Sequence, residues 1–124
     1  MDYRRIRTQA IIMRGHHVLM VRTPGDHWML PGGDAEEGET PEDALIRTVS
    51  FETGAEIKVI KHLTREKNVH EPYRLVLTFL GELESLSYDP STYIGPLEVD
   101  WRSMRAPELK EEIYDKHLAG KERQ

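Results

Sequence analysis

The chain has 124 residues, of which 38% are hydrophobic and 31% charged, and it contains no cysteine. This length suits one globular domain with one hydrophobic core, so we expect residues 1–124 to form a single domain. The absence of cysteine excludes disulfide bonds and thiolate chemistry.

The formal net charge of −5 argues against general affinity for nucleic acid polymers. Five arginines nevertheless make the first 22 residues locally basic, which is sufficient for a small phosphate ligand. The first residues lack the apolar run of a signal peptide, and no stretch approaches the length of a membrane span. We therefore expect a cytoplasmic protein with no membrane partner.

Hydrophobic alternation and turn residues predict strands with helices between them. A hairpin is expected from residues 5–13 and 17–22 around a turn at Gly15 and His16, with a short strand at 28–30. Further strands are predicted at 55–63, 73–83 and 97–102, separated by a polar loop at 64–72 and an irregular segment at 84–96. Helical spacing returns at 107–118.

A helix from about residue 41 to 53 has clear end signals. Thr40 is a good N-cap, Pro41 suits the first helical position, and Gly54 can adopt the left-handed conformation that ends a helix. At 100° per residue one arc faces the sheet, and we expect it to include Thr48 and Phe51 as packed residues. Its members are Ala44, Leu45, Thr48, Val49, Phe51 and Glu52.

Residues 33–55 resemble the signature of the Nudix hydrolase, or MutT-like, family. In this signature Gly33, Glu39, Arg47, Glu52 and Gly54 stand in register without a gap, and residues 28–33, Trp-Met-Leu-Pro-Gly-Gly, lead into it. The resemblance is incomplete, because Thr48 and Phe51 occupy positions where the family has glutamate. Two of the three helical metal carboxylates of the family are therefore missing.

The resemblance implies an α/β (α+β) protein with the Nudix fold, a mixed β-sheet sandwiched between helices. The signature helix would lie on one side of the sheet and the helix at 107–118 on the other. In this family Glu39 and Arg47 are expected to orient the loop and the helix, through an ion pair, more than to perform chemistry. Gly33 and Gly54 would be structural.

Glu52 is the principal candidate for metal binding. A carboxylate on the packed face of a helix is costly unless it is paired or binds a cation. The resemblance implies a Mg²⁺ or Mn²⁺ ligand; pairing with Arg47 or another arginine is the alternative. Glu98, before Trp101, resembles a late glutamate that often completes the metal site, although Glu82, Glu84, Asp100 or a merely solvated role would also fit.

Other residues could contact a substrate. His70 could act as a general base or touch a phosphate, although it could also be a surface histidine. Trp28 could stack on a nucleobase or simply pack, and Arg22 and Arg74 could bind a phosphate or be exposed strand residues.

Two functions follow from the resemblance. The first is Mg²⁺-dependent hydrolysis of a nucleoside diphosphate linked to another moiety, with weak or atypical activity such as nucleotide-sugar hydrolysis. The GDP-mannose hydrolase branch lacks the same two glutamates, although its loop histidine has no counterpart in residues 93–100. The alternative is an inactive module that binds a nucleotide or nucleotide sugar. A homodimer is compatible with the family.

Overall fold

A computed structural model describes residues 5–68, 74–86 and 97–103 of the chain. These residues form six strands and one helix. In chain order the elements are β1 (Arg5–Arg14), β2 (His17–Arg22), β3 (Gly32–Asp34), α1 (Pro41–Thr53), β4 (Ala55–Asn68), β5 (Arg74–Leu86) and β6 (Glu98–Ser103).

The strands form one mixed sheet in the order β4-β5-β1-β2-β6, with β3 paired to β1. Strands β1 and β5 run parallel, and the other pairs are antiparallel. The expected α+β class and mixed sheet are confirmed. The helix predicted at 107–118 lies outside the described residues.

Several predicted boundaries are wrong. The polar loop expected from residue 64 is strand β4 as far as Asn68, and residues 84–86, expected to be irregular, are the end of β5. The two strands pair antiparallel from Ala55↔Leu86 to Asn68↔Arg74, with three register shifts. Backbone pairing, which does not require an apolar sequence, extends both strands past their hydrophobic portions.

The core lies on both faces of the sheet. On the face covered by α1, Leu45 and Val49 of the helix pack with strand residues that include Ala10, Leu19 and Phe79. A smaller cluster on the opposite face contains Ile11, Val18, Met20 and Leu30, with Trp28 packed against it. We call this second group the far-face cluster.

The segment leading into the signature is inserted between β1 and β2. These two strands pair only beside their turn, at Met13↔Val18 and Arg14↔His17. Farther from the turn, Met29 bridges to Val21 on one side, and the Pro31 carbonyl accepts from the Ala10 amide at 3.0 Å on the other. The short strand predicted at 28–30 is thus reduced to one bridge, and the ordered pairing begins at Gly32.

The ends of α1 are as the sequence predicts. Thr40 Oγ1 accepts from the Asp43 amide at 3.1 Å, and Pro41 opens the helix. Gly54 has φ 73° and donates its amide to the Ser50 carbonyl at 2.8 Å, which closes the last turn. No helix in the described part of the chain is long and apolar enough to cross a membrane.

Phe51 departs from its predicted position on the packed face. Its side chain is 67% exposed, whereas Thr48, one turn earlier, is buried. Phe51 stands at the margin of the predicted arc, and in the last turn the covered side of the helix is the one that carries Val49 and Thr53.

Candidate active site

The Glu52 carboxylate lies where the end of α1 meets the turn into β3. Its Oε1 accepts a hydrogen bond from the Gly32 amide at 2.7 Å, and the side chain is half-buried. Glu52 is therefore hydrogen-bonded to the backbone and does not pair with Arg47; of the other arginines considered from the sequence, Arg7 acts on it through its charge. The hydrogen bond connects the last turn of the helix to the first residue of β3.

The electrostatics of Glu52 are dominated by desolvation. Burial raises the pKa of this carboxyl, while the Gly32 amide and the positive charge of Arg7 lower it in part. Half-burial with one amide donor leaves the charged form short of its usual hydration. A bound cation would offset that cost.

Gly32 and Gly33 allow the close approach that forms this site. Gly32 has φ 149°, and a Cβ there would lie 2.0 Å from the Thr8 carbonyl oxygen. At Gly33 a Cβ would lie 2.8 Å from Thr48 Cγ2. Both positions therefore exclude a side chain. At Gly32 the obstruction is the backbone of β1, and at Gly33 it is the Thr48 side chain of α1.

Arg47 and Glu39 form the predicted ion pair between the helix and the preceding loop. Arg47 Nε donates to Glu39 Oε2 at 2.8 Å and Nη2 donates to Oε1 at 2.9 Å, a two-point contact. Arg47 Nη2 also donates to the Asp34 carbonyl at 3.1 Å, and Glu39 Oε1 accepts from the Glu36 amide at 3.0 Å. These contacts, led by the Arg47 hydrogen bond, lower the pKa of Glu39 to about 2.

The two residues that replace family glutamates supply no carboxylate to the site. The Thr48 hydroxyl donates back to the carbonyls of Ala44, at 2.8 Å, and Leu45, at 3.3 Å. Its methyl group faces Gly33, and Phe51 is exposed. In the described residues Glu52 is thus the helical carboxylate that reaches the turn.

A second group of charged residues surrounds Trp28. The guanidinium carbon of Arg22 lies 4.5 Å from the Trp28 ring centroid and that of Arg102 lies 5.0 Å from it. Arg22 Nε donates to Glu98 Oε2, and Arg102 Nη1 is 3.8 Å from Asp100 Oδ2. We call these five residues the Trp28 cluster.

Three members of this cluster, Arg22, Trp28 and Glu98, were predicted from the sequence as site residues. Asp100 was an alternative to Glu98, and Arg102 was not predicted. Val18 pairs with Arg102 and Arg22 with Glu98, so β2 and β6 present these residues on one face. The alternation Glu98, Asp100, Arg102 was readable in the sequence. The sequence did not predict that β6 pairs with β2, and this pairing brings Arg102 to Trp28.

Glu98 is placed as an ion-pair partner of Arg22. In residues 5–68, 74–86 and 97–103 no group of three or more His, Asp or Glu side chains could hold a metal ion. Glu82 and Glu84 are exposed on β5. His70 lies outside the described residues, and Arg74 begins β5 with its side chain outside them.

A shallow groove of about 540 Å³ lies elsewhere, between α1 and the edge strand β4. Ile46, His62 and Phe79 are among its lining residues, and neither Glu52 nor Trp28 is. The His62 and Phe79 rings are 5.0 Å apart between centroids. It is thus separate from the turn that carries the chemical groups.

Comparison with known proteins identifies the family of the chain. A family model described as NUDIX domain matches residues 3–119. The chain belongs to the NUDIX domain family. Nudix hydrolases generally use a divalent metal ion. No curated protein sequence matches the chain.

Solved structures share the Nudix fold with this chain. An ADP-ribose pyrophosphatase from Streptococcus suis is 19% identical, with a TM-score of 0.73 over 93% of this chain and 87% of that one. A NUDIX hydrolase from Nitrosomonas europaea is 25% identical, with a TM-score of 0.72 over 95% and 90%. A UDP-X diphosphatase is 20% identical, with a TM-score of 0.68; the match covers 84% of this Nudix chain and 53% of the diphosphatase chain.

Proposed function

We propose that this Nudix protein is a Mg²⁺-dependent hydrolase of a nucleoside diphosphate linked to another moiety. The structural relatives named for ADP-ribose and for UDP-X support this substrate class. Turnover is expected to be slow or atypical, because the chain has one carboxylate where the family uses three. The reaction would release either a sugar phosphate, by attack at phosphorus, or a free sugar, by attack at carbon.

The observation that carries the proposal is the placement of Glu52. A half-buried carboxylate, hydrogen-bonded to the Gly32 amide and with a raised pKa, is costly for a purely structural residue. The Glu39–Arg47 pair that orients the same loop is intact. The Gly32 hydrogen bond holds the turn, but this one donor does not offset the desolvation that raises the pKa of Glu52.

The carboxylate ligands present suit a single Mg²⁺ ion and not a cluster of several ions. Mg²⁺ commonly keeps several water molecules and is held by one or two carboxylates together with substrate phosphates. Glu52 can supply one carboxylate, since Oε1 takes the Gly32 amide and Oε2 has no protein donor among the described residues. When bound, the ion would neutralise phosphate charge and lower the pKa of a coordinated water molecule.

The remaining residues have proposed roles in binding and proton transfer. Arg22, Trp28 and Arg74 would bind the substrate, and His70 would accept the proton of the attacking water. Glu98 was expected to be a second metal ligand, which would require its carboxylate to leave Arg22. The Glu52 site would orient the diphosphate and hold it near the water.

The test is to incubate the protein and Mg²⁺ with nucleoside diphosphate sugars, dinucleoside polyphosphates and nucleoside triphosphates, and to identify products by mass spectrometry. We expect product that disappears with Glu52→Gln, a variant that keeps the side-chain acceptor for the Gly32 amide. Glu42→Gln is the control, since Glu42 is an exposed glutamate in the first turn of the same helix. Undiminished turnover by Glu52→Gln would eliminate the mechanism.

A specific observation also favours a second function. Thr48 is turned back onto its own helix and Phe51 is exposed, so neither can help to hold a metal ion. The domain would then bind a nucleotide or nucleotide sugar without hydrolysing it. Saturable binding in calorimetry with no product, from folded protein supplied with Mg²⁺, would identify this function.

A further inference from the structure

The Trp28 cluster contains the Arg22 guanidinium, which two neighbouring side chains hold in place. Arg22 is held twice, by stacking on the Trp28 ring at 4.5 Å and by the hydrogen bond from its Nε to Glu98. Trp28 is itself packed against the far-face cluster. The position of the guanidinium is therefore determined by the core beneath it.

The free end of this guanidinium suits an anion. An arginine has five N–H donors, and the bond to Glu98 uses the one on Nε. Within the described residues no acceptor bonds either Nη group of Arg22, whose side chain is 35% exposed. A planar pair of donors held in place beforehand matches phosphate oxygens at two points and loses little entropy on binding.

The position of Glu98 follows from the pairing of the strands. Glu98 stands directly opposite Arg22 where β6 pairs with β2, and opposite residues on one face of a sheet are in reach of each other. The pairing of β6 with β2 therefore places the two side chains of the ion pair next to each other. A metal role for Glu98 would break this contact and release Arg22 from its orientation.

The cluster and the Glu52 site are connected by a short stretch of chain. Trp28 and Gly32 are four residues apart, so their Cα atoms can be separated by at most about 14 Å. Gly32 is the residue whose amide holds Glu52. This short connection is the basis for assigning both groups to one substrate.

We propose that Arg22 is a phosphate-binding residue and that Glu98 is the positioning residue that aims it, in place of a metal-ligand role for Glu98. The proposal rests on the proposed function, since it assigns part of the same substrate site. It predicts that removing the carboxylate of Glu98 weakens the binding of an anion. Simple electrostatics predicts the reverse, because a negative charge would have been removed.

The experiment measures two affinities, that for inorganic pyrophosphate with Mg²⁺ by calorimetry and that for Mn²⁺ by electron paramagnetic resonance. Glu98→Ala and Arg22→Lys should each weaken pyrophosphate binding about tenfold, and the double variant no further, because one charge-assisted contact is lost in all three. Mn²⁺ affinity should be unchanged in Glu98→Ala. Glu42→Ala, which removes an exposed carboxylate from the first turn of α1, should bind pyrophosphate within twofold of the parent.

The outcomes separate this proposal from the proposed function. Tighter or unchanged pyrophosphate binding by Glu98→Ala, or a tenfold loss of Mn²⁺ affinity, would overturn the positioning role while leaving hydrolysis intact. A parent protein that binds pyrophosphate in the predicted pattern but forms no product would overturn the hydrolase and keep the subsite. A folded parent that does not bind pyrophosphate would refute the subsite.

Discussion

The contact between Gly33 and Thr48 gives a sharp test of how the turn is packed against the helix. An alanine Cβ at Gly33 would lie 2.8 Å from Thr48 Cγ2, and 3.2 Å from Thr48 Cβ. The first distance is too short for two carbon atoms. We therefore expect Gly33→Ala to destabilise the protein by about 2 kcal/mol, which is typical of overpacking.

Thr48→Ser should relieve this clash in part. Serine lacks Cγ2 but keeps the hydroxyl that donates to Ala44 and Leu45. The nearest atom to the new Cβ would then be the Cβ of residue 48 at 3.2 Å, which requires a shift of only a few tenths of an ångström. Alone, Thr48→Ser should cost about 1 kcal/mol for one buried methyl group.

The double variant should thus lose about 2 kcal/mol, and not the roughly 3 kcal/mol expected for independent changes, which is a coupling of about 1 kcal/mol. For 124 residues the unfolding entropy is about 260 cal/mol/K, so the coupling corresponds to about 4 °C in Tm. Urea unfolding and calorimetry of the four proteins would measure it. Additive losses would refute the packing argument.

Gly32→Ala is the contrasting variant. The obstruction at Gly32 is the Thr8 carbonyl oxygen at 2.0 Å, and its φ of 149° is itself unfavourable for alanine. No side-chain substitution can remove a backbone atom. Thr48→Ser should therefore give no rescue of Gly32→Ala, and rescue there would show that relief at Gly33 is not specific.

Three further predictions concern charge. Because the folded state raises the pKa of Glu52 above 4.5, the stability that Glu52 contributes is complete below that pH and is lost as pH rises through the higher folded value. Glu52→Gln should therefore gain stability relative to the parent between pH 4 and 8, and a Tm difference independent of pH would contradict this. The pKa shift of Glu39 has the opposite sign, since folding lowers this pKa from 4.5 to about 2. The contribution of Glu39 to stability is therefore present above pH 4.5 and lost on acidification towards pH 2. The Tm advantage of the parent over Glu39→Gln should disappear over that range. Finally, Phe51→Glu, at an exposed position, should change the free energy of unfolding by about 0.5 kcal/mol or less. Thr48→Glu, at a buried position, should lower the free energy of unfolding by about 1 kcal/mol or more. Equal losses in urea unfolding would contradict the assigned burial.

The ends of helix α1 and the ion pair beside it could be predicted from the sequence because contacts between residues close in the chain determine them. Thr40, Pro41 and Gly54 act through hydrogen bonds or backbone angles within a few residues, and helix α1 has the predicted ends. The Glu39–Arg47 pair spans only eight residues and connects one loop to the next helix. These contacts need little information from the rest of the chain.

Tertiary structure determined what lies across the sheet. The partner of Glu52 is the Gly32 amide, which is placed there because residues 29–31 insert between β1 and β2 and lead into β3. Phe51 is exposed because the covered side of the last turn of α1 is the one that carries Val49 and Thr53. Arg102 reaches Trp28 because β6 pairs with β2. Periodicity gives the face on which a residue lies, while strand order and the extent of packing decide what that face meets.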